Sequence, residues 1–109
     1  MDEREFNGLA DAMLSRLEAM VEALMQADEI GLDYEIKPGG VIELEFEDGS
    51  KIIINRHTAA REIWVAARSG GYHFAPRDGA WVSGRDGSEL LAVLSRCISE
   101  QSGRSVNLV

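Results

Sequence analysis

Glu18 and Glu22 stand four residues apart in a stretch with a strong helical period. With Asn7, Asp11 and Ser15 they stack along one edge of the predicted helix. Like charges at this spacing oppose helix formation by about 0.2–0.5 kcal/mol, so a chain that keeps them can use them. Carboxylates are hard oxygen donors. They suit iron, manganese, magnesium or calcium ions better than thiophilic metals. A helix edge offers them from one side only and leaves most coordination positions to water, so an ion held there would bind weakly and exchange readily. A plainly solvated acidic face is the alternative reading. The chain has two His and one Cys, which excludes a His/Cys zinc site or a cysteine-ligated cluster held by one chain. No serine lies in a nucleophile-elbow glycine pattern, and Gly70-Gly71 lacks phosphate-loop spacing. Asp48-Gly49 and Asp86-Gly87 read as turns, since the twelve-residue calcium-loop spacing is absent. An enzyme with its own substrate has no plausible constellation here.

Charge is distributed unevenly. Residues 1–50 carry 14 Asp/Glu against 3 Lys/Arg, whereas residues 51–109 carry 5 against 8; the formal net charge is −8. The acidic front half repels nucleic acid and anionic lipid and attracts a basic protein surface or a hard cation. Trp64 is the other notable side chain. The alternation around it places Ile63 and Val65 in the core and turns Trp64 outward, near Ile53 and Ala66. An outward Trp is a typical interface anchor; with the faces reversed it would be a core aromatic. His73 falls on the same open face and reads as structural or exposed, with metal binding the alternative. His57, in the sequence His57-Thr58-Ala59-Ala60, reads as a solvated loop residue.

The elements that position these groups follow from periodicity. Phe6, Leu9, Met13, Leu17, Met20 and Leu24 predict a helix from Glu5 to about Gln26. Half-buried strands are predicted over Leu32–Lys37, Val41–Glu47, Lys51–Arg56 and Arg61–Arg68, the second and third joined by the Asp48-Gly49 hairpin signal. Tyr72 and Phe74 share an inner face, Pro76–Gly79 reads as a turn, and Ala80–Ser83 as a short strand anchored by Trp81. Ser88 is the expected N-cap of a second helix that ends at Gly103. Cys97 falls on its apolar stripe and reads as core. Short links require antiparallel pairing. The expected fold is α+β: a two-layer sandwich, with N- and C-terminal helices packed on one face of a five- to six-stranded antiparallel sheet, in one domain over 1–109. The uncovered face should display Glu43, Glu45, Ile53, Asn55, Trp64, Ala66 and Arg68. No apolar run is long enough to span a bilayer and the acidic start lacks a signal-peptide pattern; with a single cysteine, this favours a cytoplasmic protein.

The stretches EDGSKIIINR, EIWVAA and GGYHF, ending at Phe74, resemble the central sheet of bacterial frataxins of the CyaY type. EFNGLAD near the start, WVSGRDGSEL and the terminal helix agree in position and character, so the resemblance spans essentially the whole chain. It implies a small, non-catalytic, monomeric protein of iron–sulfur cluster assembly that binds the cysteine desulfurase and the scaffold protein. It also implies weak, exchangeable binding of ferrous or ferric iron by an acidic ridge. Carried over by position, the ridge falls on Asp11, Glu18, Glu22, Asp28, Glu29, Asp33 and Glu35, and the partner-binding residues on Glu18, Glu22, Asn55 and Trp64. The chain departs from the pattern where Ala19 and Ala23 follow Glu18 and Glu22, and where Asn7 replaces the histidine of some relatives. The ridge is thinned. That weakens the alternative reading, an iron chaperone or store that oligomerises with iron, more than it weakens a docking role.

Overall fold

The structure is a computed structural model that describes residues 1–27 and 30–108. The chain forms α1 (Glu3–Gln26), β1 (Leu32–Lys37), β2 (Val41–Phe46), β3 (Lys51–His57), β4 (Glu62–Ala67), β5 (Gly70–Arg77), β6 (Ala80–Val82) and α2 (Leu90–Ser102). The six strands make one sheet in sequential order, every neighbouring pair antiparallel. Both helices cover one face of it, and the core lies between the layers. Phe6, Leu17, Leu44, Ile52, Ile54, Ile63, Phe74, Leu90, Leu94 and Ile98 are fully buried there. Trp81 meets Phe6 edge to face at 5.9 Å, and Cys97 is buried as expected.

α1 starts ahead of the expected Glu5. Asp2 is its N-cap and accepts from the Glu5 N–H at 2.7 Å, so Asp2 and Glu5 mark the start three residues apart in the manner of a capping box. The buried stripe runs through Phe6, Ala10, Met13, Leu14, Leu17 and Val21. Leu9, expected in it, is 42% exposed; it sits about 100° round the helix from Ala10 and falls off the packed face. α2 starts later than expected. Ser88 is tied into a preceding turn, its N–H donating to Asp86 at 2.9 Å and its carbonyl accepting from Ser83 at 2.8 Å. Glu89 is therefore the N-cap, and its carboxylate accepts from the Leu91 N–H at 3.0 Å. Gly103 ends α2 at φ 74°, as predicted.

Pro76, expected in a turn, lies inside β5. It faces Trp81 of β6, and the turn is the pair Asp78-Gly79. The ladder between β4 and β5 ends at Phe74 opposite Ile63, so the missing N–H of Pro76 breaks no bond. Arg68, expected on the open face, instead lies just beyond β4. Its guanidinium pairs with Asp48 at 3.0 Å and donates to the Glu100 carbonyl at 3.2 Å, towards α2. Beside it, Gln101 accepts from the Arg68 N–H at 3.0 Å and donates to Ser50 Oγ at 3.0 Å and the Lys51 carbonyl at 3.2 Å. One buried amide thus ties the end of α2 to two hairpins.

On the open face, Glu35 and Ile53 flank Glu43, and Asp33 and Lys51 flank Glu45. Lys37 and Lys51 reach the Glu43 carboxylate at 2.5 and 2.8 Å. Their hydrogen bonds hold the Glu43 carboxyl down from 4.5 to about 2.

Two outcomes follow. Phe74→Ala should cost about 3–5 kcal/mol, read as a lower urea midpoint at an unchanged slope. Because its folded value is depressed, Glu43 contributes stability that is fully present above 4.5 and is lost as pH falls towards about 2. Urea unfolding at a series of pH values should therefore show a shallower acid loss for Glu43→Gln than for the parent chain. Some acid sensitivity should persist, because Ser50 and Ser88 also hold Asp48 and Asp86 below their ordinary values.

Candidate docking surface and acidic rim

Strand β1 is the edge of the sheet on which the acidic residues gather. Its inner-face residue Tyr34 lies half-buried against the core, under the helix side that carries Glu18 and Glu22. The Tyr34 phenol is pushed up by burial and then by the negative charges of Glu22 and Glu18. Alternation sends Asp33 and Glu35 to the opposite face, where they border a shallow depression with Glu43 and Glu45. The predicted ridge is thus a rim wrapped around the β1 edge, with Glu18 and Glu22 above it and Asp33 and Glu35 below.

Asp11 is engaged differently. Its carboxylate pairs with the Arg56 guanidinium, which also contacts Asn7 Oδ1 at 3.4 Å. This pair joins α1 to the end of β3 and neutralises the upper end of the ridge. A groove between α1 and the sheet runs from Asp11 and Arg56 past Ile36 to Glu18. Asp28 and Glu29 lie outside the described residues. Among the described residues, no three His, Cys, Asp or Glu side chains converge so as to hold a metal ion. The donor set fits a hydrated cation touched from one side, not an enclosed one.

Trp64 faces outward, as the alternation required, between Asn55 on β3 and His73 on β5. It is half-buried rather than bare. His57 stacks on one side of the indole at 3.9 Å between centroids and 8° between planes, and His73 on the other at 4.3 Å and 9°. The indole N–H donates to Glu62 at 2.9 Å, and His73 Nδ1 lies 3.9 Å from the same carboxylate oxygen. Both flat faces of the ring are covered, and its rim meets solvent beside Asn55. Exposed Ile53, two residues along β3, extends the apolar patch. A blade clamped in this way loses little rotamer freedom on meeting a partner.

His57 is the clearest correction. It is not a solvated loop residue: it closes β3 opposite Glu62, half-buried against Trp64. The four residues that follow it form the loop, and Arg61 takes φ 56° there. Glu62, absent from the sequence-based candidates, also belongs to this cluster. The available signal was the strand period, because His57, Asn55, Glu62, Trp64 and His73 all fall on one face of the sheet once the pairing is known. The missing piece was the cross-strand register.

A frataxin-like domain model matches residues 1–104. The chain is 49% identical over 108 residues to the iron-sulfur cluster assembly protein CyaY of Dechloromonas aromatica, covering 99% of both chains. It is 54% identical over 110 residues to the protein of the same name from Ralstonia nicotianae, covering 100% of this chain and 96% of that one. The solved frataxin of Psychromonas ingrahamii superposes with a TM-score of 0.85 at 32% identity, covering 100% and 99% of the two chains. Trimeric yeast frataxin complexed with ferrous iron superposes with a TM-score of 0.75 at 31% identity, covering 88% and 87%. Full-length similarity at about half identity, together with two helices on a six-stranded antiparallel sheet, means that this chain belongs to the frataxin-like family.

Proposed function

We propose that this protein takes part in iron–sulfur cluster assembly as a non-catalytic regulator that docks on the cysteine desulfurase and its scaffold protein. The observation that carries the reading is the coexistence, in a chain matched end to end by proteins named for cluster assembly, of an acidic rim and a clamped outward Trp64. The rim meets a basic surface of the desulfurase through Glu18 and Glu22, and the sheet face around Asn55 and Trp64 meets the scaffold. Exposed charge supplies encounter rate and salt sensitivity, because its reach is a Debye length of about 8 Å at physiological ionic strength. Trp64 supplies contact area at small ordering cost. No helix among the described residues is long and apolar enough to cross a membrane, and the proposed site of action is the cytoplasm.

Iron enters this reading as a weakly held cargo or signal. We place it at Glu18 and Glu22, with Asp33 and Glu35 contributing across the β1 edge and Asp28 and Glu29 as further candidates. Asp11 contributes least, because Arg56 already occupies its carboxylate.

Pull-down on purified desulfurase should weaken steeply with salt and with Glu18→Lys and Glu22→Lys. Trp64→Ala should instead weaken retention of the scaffold, with a stability loss below about 3 kcal/mol. Binding indifferent to salt and to both charge reversals would overturn the docking mechanism. Desulfurase and cluster-assembly rates at two iron levels, with and without the protein, then read the regulation itself.

Titration with ferrous iron should broaden amide signals along the Glu18–Glu22 edge while the protein stays monomeric. Absence of localised broadening would remove iron from the account, and iron-dependent oligomers would favour a chaperone or store.

A further inference from the structure

The far end of the sheet from the acidic rim carries a different feature. β6 pairs with β5 only through Ala75, Pro76 and Arg77. Beyond Val82 the chain turns away: the Ser83 N–H donates to the Ser88 carbonyl at 2.8 Å, the Gly87 N–H to the Ser83 carbonyl at 2.9 Å, and Val82 bridges to Glu89. The first half of β5 is thereby left paired to β4 on one side and to no strand among the described residues on the other.

Two turns decide which backbone groups face that open side. Ala67 and Gly70 flank the two-residue loop Arg68-Ser69, and Arg77 and Ala80 flank Asp78-Gly79. Residues flanking such loops face each other as hydrogen-bonded pairs, and bonding direction alternates along a strand. Counting from either turn gives the same phase. Gly70, Tyr72 and Phe74 bond towards β4, whereas Gly71 and His73 aim their N–H and C=O groups away from it. These groups border a cleft of about 580 Å³ whose far wall is the Ser83–Ser88 turn and which Val93 and Arg96 of α2 also line.

The cleft is lined by two arginines, Arg85 and Arg96, and by the carboxylates Glu62 and Asp86; Glu62 is taken up by the Trp64 N–H. Arg96 stands over the Tyr72 ring at 5.5 Å, donates to its hydroxyl at 3.0 Å and lies 3.7 Å from the Glu100 carboxylate, an exposed pair that leaves its side chain 54% accessible. The Arg85 guanidinium makes no hydrogen bond or close ion pair among the described residues, and its charge acts on the adjacent Asp86. An unpaired strand edge is a template for another strand. Here the Ser83–Ser88 turn walls the far side, so the shape of the cleft favours one extended segment over the edge of a second sheet.

We propose that this cleft is a strand-addition site for one extended peptide segment of a partner protein, paired to Gly71 and His73, with an Asp or Glu side chain received by Arg85 and Arg96. Main-chain pairing supplies affinity and the arginines supply the preference for acid. The site is at the opposite sheet end from the acidic rim and adjoins the Trp64 clamp through Glu62 and His73; its test uses neither desulfurase nor scaffold, so it stands or falls apart from the docking reading.

The test uses the isotopically labelled full chain and a capped peptide, acetyl-Thr-Val-Glu-Val-Thr-amide. The amides of Gly71, His73, Ser83 and Ser88 should shift on titration, and those of Gly71 and His73 should exchange more slowly with solvent. An analogue N-methylated at both valines should bind roughly tenfold more weakly, because main-chain hydrogen bonds are lost. Arg85→Gln, or Gln for Glu in the peptide, should weaken binding by about 2- to 5-fold. The proposal is overturned if these amides do not move at millimolar peptide, or if the N-methylated analogue binds equally well. Concentration-dependent shifts at Gly71 and His73 without peptide would overturn it in favour of a second copy of this chain.

Discussion

The packing of α1 and α2 on one face of the sheet is the constraint from which the rest follows. Side chains on a strand alternate, so burying Ile42, Leu44, Ile52, Ile54, Ile63, Val65 and Phe74 beneath two helices obliges their neighbours to face solvent. A slip of one residue would exchange the two sets and expose the core. The hydrophobic contact with the helices therefore places Asn55 and Trp64 on the outside with the same certainty that it places Ile54 and Val65 within. The outward face is held in place by the energy of the opposite face.

That constraint also explains where charge can collect. At the β1 edge the sheet ends, so carboxylates of the overlying helix and of the underlying face lie on the two sides of a single strand. Repulsion is relieved locally rather than removed. Arg56 takes Asp11, and Lys37 and Lys51 take Glu43. Glu18, Glu22, Asp33 and Glu35 remain as the negative rim. A long-range field survives while close like-charge contacts are buffered, an arrangement suited to steering and to loosely held cations.

The open face is built differently. Trp64 has both ring faces covered by histidines, and its N–H is taken by Glu62. A large apolar ring on a polar surface would otherwise sample rotamers or invite nonspecific contact; clamped, it presents one edge in one orientation. The opposite sheet margin, where β6 leaves β5, has main-chain groups in place of side chains. One sheet thus offers surfaces of three kinds: a charged rim, an aromatic blade and a bare strand edge.

Most of this architecture was legible in the residues. Helical and strand periods gave the element order, Asp48-Gly49 marked its hairpin, and Gly103 marked the end of α2, because these signals are local and depend on backbone preference. The resemblance in EDGSKIIINR, EIWVAA and GGYHF supplied the family, which full-length similarity supports. Residue order alone set the apolar alternation of the strands and the acid excess of the first half; the alternation pointed Trp64 outward but left the reversed assignment open, and the burial of Ile63 and Val65 decided it. Tertiary structure alone decided what those outward groups meet. The His57–Trp64–His73 stack, the pairing of Asp11 with Arg56 and the turn of Arg68 towards α2 all join residues from different elements. Such contacts depend on cross-strand register and on how a helix lies over a sheet, and neither is set by the preferences of the residues taken one segment at a time.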